Sequence, residues 1–117
     1  MSRIERINQQ IKREVGDMLE KEIQDPRVRF VTITGVEVSR DLQYAKISFT
    51  VLGDHQKAEI ALEGLNQAKG FIRRMIGQRV RMRYTPEPRF VFDQSVEYAA
   101  RIEQKLEEIK NEDRKNN

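Results

Sequence analysis

Residues 69–92 read KGFIRRMIGQRVRMRYTPEPRFVF, and two periodicities follow one another within them. Phe71, Ile72, Met75 and Ile76 fall on one side of a helix while Arg73 and Arg74 point away. Gly77 stands where a left-handed helix cap favours glycine. Val80, Met82 and Tyr84 then alternate with Arg79, Arg81 and Arg83, which predicts a strand with one wet face. Pro86 and Pro88 interrupt that strand or confine it to a sheet edge, because proline has no amide hydrogen to give a ladder, and Phe90 and Phe92 resume the alternation. On such a strand Arg79, Arg81 and Arg83 project the same way at spacings of about 6.6 Å.

The same stretch concentrates positive charge. Between residues 69 and 89, seven cations (Lys69, Arg73, Arg74, Arg79, Arg81, Arg83 and Arg89) stand against the single acid Glu87, an excess of six, whereas the whole chain carries +3. The remaining segments are therefore net negative, and the excess is local. A local excess of this kind attracts phosphate. Arginine adds a planar fork that matches phosphate oxygens, which lysine lacks.

Upstream, Ala58, Ala61, Leu62, Leu65, Ala68 and Ile72 recur at steps of three and four, so a helix starts after Gly53-Asp54 and its period runs through Lys69-Gly70. Glycine inside a helix costs about 1 kcal/mol relative to alanine, so Gly70 marks a kink or a close backbone approach. Before this helix, Ala45, Ile47, Phe49 and Val51 alternate with polar residues, giving a half-buried strand. The preceding strand changes parity at Gly35, with Val31 and Ile33 on one side and Val36 and Val38 on the other, which predicts a bulge. Ser39-Arg40-Asp41 supplies the turn of an antiparallel hairpin. At the start of the chain, Ser2 precedes Glu5 at capping-box spacing, and Ile4, Ile7, Ile11, Val15, Met18 and Ile23 line one face of a first helix that Asp25-Pro26 ends. Downstream, Ser95 caps a final helix with apolar positions Ala99, Ile102, Leu106 and Ile109. Residues 111–117, NEDRKNN, contain no apolar side chain and are expected to be a disordered tail.

The expected architecture is α+β: a single domain over residues 1–110, with a three-stranded sheet covered by helices on one face. The 117 residues suffice for one core and not two. The absence of cysteine excludes disulfide frameworks and thiolate metal sites, and fits the interior of a cell. No apolar run approaches the roughly 18 residues of a membrane span, and a cytoplasmic protein is expected. Catalysis has little to stand on. Asp25, Asp41, Asp54 and Asp93 fall at turns or caps, no serine has a base nearby in sequence, and no phosphate-cradling glycine loop is present. His55, the one histidine, has no partner at ligand spacing and reads as a surface residue. No catalytic residue, metal site or cofactor is expected. Phe71, Phe90 and Phe92 read as core rather than as base-stacking rings; Tyr44 and Tyr84 are less clearly core, with base stacking as the lesser alternative.

Several segments together resemble the bacterial ribosome-binding factor A family: DPRV at 25–28, VTITGVEVSRDLQYAKI at 31–47, the step Ala68-Lys69-Gly70 followed by FIRR, and PEPRFVFDQS at 86–95. The resemblance spans roughly residues 3 to 110. It implies a type II KH-like fold in which an alanine-x-glycine kink, Ala68 to Gly70, replaces the GxxG loop between two helices. It also implies binding to the small (30S) ribosomal subunit and its 16S rRNA during late maturation, assistance with 5′-end processing, a link to cold shock, and no catalysis. Ribosome-assembly GTPases are candidate further partners, and the absence of a coiled-coil repeat favours a monomer. The residues assigned to RNA are Lys69, Gly70, Arg73, Arg74, Arg79, Arg81, Arg83 and Arg89, with Arg3, Arg6 and Arg13 as outer contacts. The competing readings are a protein-docking module and a translation-control factor that binds mature subunits.

Overall fold

A computed structural model describes residues 1–53, 55–95 and 105–110. Helix α1 spans Arg3–Lys21, and the Ser2 hydroxyl accepts the Glu5 amide at 3.1 Å, as the capping spacing requires. Its face of Ile7, Ile11, Val15, Met18 and Leu19 is buried, while Ile4 is exposed. The helix ends before the proline: the amides of Glu22 and Ile23 both return to the Met18 carbonyl. Asp25-Pro26 instead opens a short 3-10 turn, Pro26–Val28, whose cap is the Asp25 carboxylate accepting the Arg27 amide at 2.9 Å. The Asp25 carboxyl also binds the Arg27 guanidinium at 2.7 Å, which holds it below the usual carboxylate range.

Strands β1 (Val31–Val38) and β2 (Tyr44–Val51) pair antiparallel, with the register breaking between Ile33 and Gly35. The expected bulge is therefore present, and Thr34 is the extra residue. Its hydroxyl donates to the Asp93 carboxylate at 2.8 Å, tying the bulge to the end of the last strand. Gly53, with φ of 131°, turns the chain from β2 toward helix α2 (His55–Gln67), in a region that side chains other than glycine rarely adopt. Helix α3 (Lys69–Arg79) follows after the single residue Ala68.

The third strand differs from the expectation. Residues 80–86 are irregular, and β3 is Glu87–Phe92, lying parallel to β2. Helix α3 runs through Gly77 to Arg79 and is capped by Val80. Ile72, Ile76 and Val80, all buried, continue the helical step of four. Gly77 is not a left-handed cap. It is the point where the returning loop touches the helix, since a Cβ there would sit 2.8 Å from Thr85 Oγ1. Parallel pairing needs a crossover of a dozen or more residues, and α2 with α3 provides it. The sheet order β1-β2-β3 leaves β3 at an edge, where Pro88 is tolerated.

One sheet face carries Ile33, Val38, Ala45, Ile47, Phe49 and Phe90 into a core completed by α1, α2 and α3. Phe92 meets Phe49 edge to face at 5.8 Å. On the other face Glu37, Lys46 and Arg89 stand exposed on adjacent strands in a row set by the registers. Asp54, the Ala99 and Ile102 positions of the expected last helix, and the tail 111–117 lie outside the described residues, as does the side chain of His55. Gln94-Ser95 and residues 105–110 are helical. Ser95 is not the cap: its amide donates to the Asp93 carboxylate at 3.0 Å, so Asp93 holds that position.

Candidate nucleic-acid interface

The bend between α2 and α3 is made by Ala68 alone. The Ala68 amide still reaches the Gly64 carbonyl and its own carbonyl accepts the Ile72 amide, so helical bonding continues across the bend. Gly70 is exposed, and open space surrounds the place a Cβ would take. It therefore marks no close approach. Lys69, half-buried, places its ammonium 3.4 Å from Glu87 at the start of β3.

Arg3, Arg6, Arg13, Arg73, Arg74, Arg79, Arg81, Arg83 and Arg89 are all exposed, but they do not form the expected ladder. Arg79 ends a helix, and Arg81 and Arg83 lie in the irregular loop. Arg79 turns back on α1, where its Nη2 donates to both Glu22 oxygens at 2.7 and 2.9 Å and its Nη1 lies 3.7 Å from Glu14. Its charge is thus spent between two helices. Arg13 lies apart from the others, in the groove between α1 and β1 with Lys12, Arg29, Asp17 and Glu20. Arg73 donates to the Thr85 carbonyl at 3.4 Å, and Arg74 stacks on Phe71. Among the described residues the side chains of Arg3, Arg6, Arg13 and Arg81 have no hydrogen-bond or ion-pair partner.

What gathers the rest is the hairpin turn. The Asp41 carboxylate accepts the Ser39 hydroxyl at 2.7 Å and the Gln43 amide at 3.1 Å, and those bonds pull its pKa below the ordinary carboxylate value. The Ser39 hydroxyl accepts the Tyr44 amide in turn, and Leu42 takes a left-handed φ of 61°. This braced turn meets both the start of α1 and the 81–86 loop. A cavity of about 220 Å³ lies between them, lined by Arg3, Arg40 and Arg83 together with the apolar Ile4, Ile7, Leu42 and Met82. Nearby, Arg89 lies over the Tyr44 ring, 3.5 Å from its centroid, close enough for a strong cation–π contact. Arg40 and Lys46 were missed by the charge count because each stands alone in sequence. The only early signal was that Arg40 occupies an exposed turn.

Among the described residues no group of three or more His, Asp or Glu side chains is placed to hold a metal ion, and no helix is long and apolar enough to cross a membrane. A protein-family model described as ribosome-binding factor A matches residues 3–106. The fold is similar to the crystal structure of ribosome-binding factor A from Thermus thermophilus, at 24% identity over 77% of this chain and 96% of that one, with a TM-score of 0.69. It is also similar to the solution NMR structure of a Thermotoga maritima protein assigned as a ribosome binding factor A, at 33% identity over 78% and 90% of the two chains, with a TM-score of 0.60. A homology model of the Thermus factor, fitted into the cryo-EM map of its 30S complex, matches at 25% identity over 73% and 93%, with a TM-score of 0.53. The shared fold is the KH-like α+β domain expected above.

Proposed function

The chain belongs to the ribosome-binding factor A family, and on that footing we propose that it is a non-catalytic assembly factor of the small ribosomal subunit, binding 16S rRNA late in maturation and assisting its 5′-end processing, with greatest importance in the cold. The observation that carries the proposal is the arginine cavity of Arg3, Arg40 and Arg83, which has no carboxylate among the described residues that line it. Arg81, next in sequence to Met82 of that cavity, is an exposed side chain, as are Arg73 and Arg74 on α3. Further support comes from the Thermus relative, a homology model of which was fitted into the cryo-EM map of its 30S complex.

A factor without chemistry acts by holding one RNA arrangement more tightly than another. Moving an RNA from mostly misfolded to mostly native takes about 5.5 kcal/mol of preference, within reach of several charge-assisted contacts on one surface. The protein works as a cytoplasmic monomer, and an assembly GTPase is a candidate for its removal. Cosedimentation with small subunits over a salt series tests the binding, with affinity expected to fall steeply as counterions compete. Depletion followed by mapping of 16S 5′ ends tests the role. Unprocessed ends are expected, whereas normal ends with altered translation would point to control of finished subunits.

A further inference from the structure

We infer that a second cavity, between the hairpin turn and the 81–86 loop, receives one unstacked RNA base whose phosphate lies against the arginine cavity beside it; this rests on the RNA-binding reading above. The cavity measures about 550 Å³, within the range of small-ligand sites, and both Tyr44 and Tyr84 line it. Tyr84 is 58% exposed, a large aromatic surface that the core does not use. Tyr44 borders two cavities, and Arg89 lines only the one over the open sheet face. The guanidinium lies over the ring, 3.5 Å from its centroid, and the second cavity, which Arg89 does not line, is bordered by the same tyrosine.

The polar lining argues for a base and against a phosphate. Asp41 and Glu87 both border this cavity and would repel an anion, yet carboxylates accept hydrogen bonds from the exocyclic amino groups of bases. Gln43 and Arg73 add an amide and a donor fork. The arginine cavity has the opposite character, with three arginines and no acid among the described residues that line it, and Leu42 lines both. One nucleotide spans the two with each part in matching surroundings. Duplex RNA keeps its bases stacked and paired, so only a bulged, looped or terminal nucleotide can enter, and aromatic stacking then supplies affinity that tolerates any base.

The test uses the full chain and two labelled RNA hairpins, one fully paired and one carrying a single bulged nucleotide, compared by fluorescence anisotropy at one salt concentration. Binding to the bulged hairpin should be tighter by about tenfold or more, in keeping with stacking of one base on aromatic rings. Tyr84→Ala should abolish that difference while leaving affinity for the paired hairpin unchanged, and Tyr84→Phe, which keeps the ring, should preserve it. Circular dichroism and thermal melting check that each variant is folded. Equal affinity of the wild-type chain for the two hairpins, or an equal loss on both in Tyr84→Ala, would overturn the inference. So would displacement of the bulged hairpin by a mixture of nucleoside monophosphates, which would assign the cavity to free nucleotides. Failure of the RNA-binding reading itself is distinguishable, because neither hairpin nor small subunits would then bind.

Discussion

Replacing Arg79 with alanine separates charge that holds the fold from charge that faces a ligand. The Arg79 side chain is 31% exposed and ion-pairs with Glu22 at 2.7 Å and Glu14 at 3.7 Å, acids that are themselves 34% and 24% exposed. Partly exposed pairs of this kind contribute about 0.2–1 kcal/mol each. Arg79→Ala should therefore cost on the order of 1 kcal/mol, a fall of several degrees in Tm for a domain of this size. Its effect on RNA binding should be small, since a guanidinium already shared by two carboxylates releases few counterions from a phosphate. Arg81→Ala is the opposite case. Arg81 is exposed with no partner among the described residues, so its loss should leave Tm unchanged and flatten the log-affinity against log-salt slope by about 0.9, the value for one phosphate on B-form DNA. Thermal melts and anisotropy titrations on a paired RNA hairpin over a salt series measure both quantities. The reasoning is refuted if Arg79→Ala flattens the slope as much as Arg81→Ala and leaves the melt untouched.

Two glycines of α3 should respond oppositely to alanine. Gly70→Ala meets open space and should gain up to about 1 kcal/mol in a denaturant melt, whereas Gly77→Ala drives a methyl to within 2.8 Å of Thr85 Oγ1 and should gain nothing or lose stability, recovering when Thr85→Ala is added. Ile72→Ala or Ile76→Ala, each at a fully buried position, should cost about 2–5 kcal/mol by the same assay. The acid limb of the stability curve follows from three carboxyls held below the ordinary 3.8: Asp25 chiefly by the Arg27 side chain, Asp41 by the Ser39 hydroxyl, and Asp93 by the Ser95 and Thr34 hydroxyls. The folded state favours their ionised forms, so their contribution is whole above about pH 4 and is lost as pH falls through the lowered folded values. Tm measured from pH 6 downward should hold and then drop, and Asp25→Asn should make the drop shallower.

Elements whose pattern is local were legible in the sequence. Helix α1 follows from Ser2 and a face of Ile7, Ile11, Val15 and Met18. The bulge follows from the parity change at Gly35, and β2 from a strict alternation that one buried sheet face enforces. The α3–β3 boundary was not legible because Val80 satisfies two patterns: it is the third member of Ile72-Ile76-Val80 and the first of Val80-Met82-Tyr84. Periodicity alone cannot choose between them. The choice is made by tertiary contacts, with Val80 buried in the core while Tyr84 stays exposed and Thr85 closes on Gly77. The parallel pairing of β3 was equally hidden, since it depends on where a crossover of two helices delivers the chain.

The candidate interface shows the same division, and for an electrostatic reason. Counting charge along residues 69–89 assigns every cation in the run to one surface, but the acids that matter to Arg79 lie far off in sequence, Glu22 being 57 residues away. Folding also makes Lys69 and Arg89 share Glu87, at 3.4 and 3.9 Å. The run therefore gives up Arg79 to the fold, and among the described residues no carboxylate pairs with Arg73, Arg74, Arg81 or Arg83. In exchange the hairpin turn and the start of α1 bring Arg40 and Arg3 to Arg83, two cations that no window around residue 80 contains. The candidate surface is thus set less by where arginine is abundant in sequence than by which arginines the fold leaves away from carboxylates, and the hairpin turn contributes to it through Arg40 as the basic run does through Arg83.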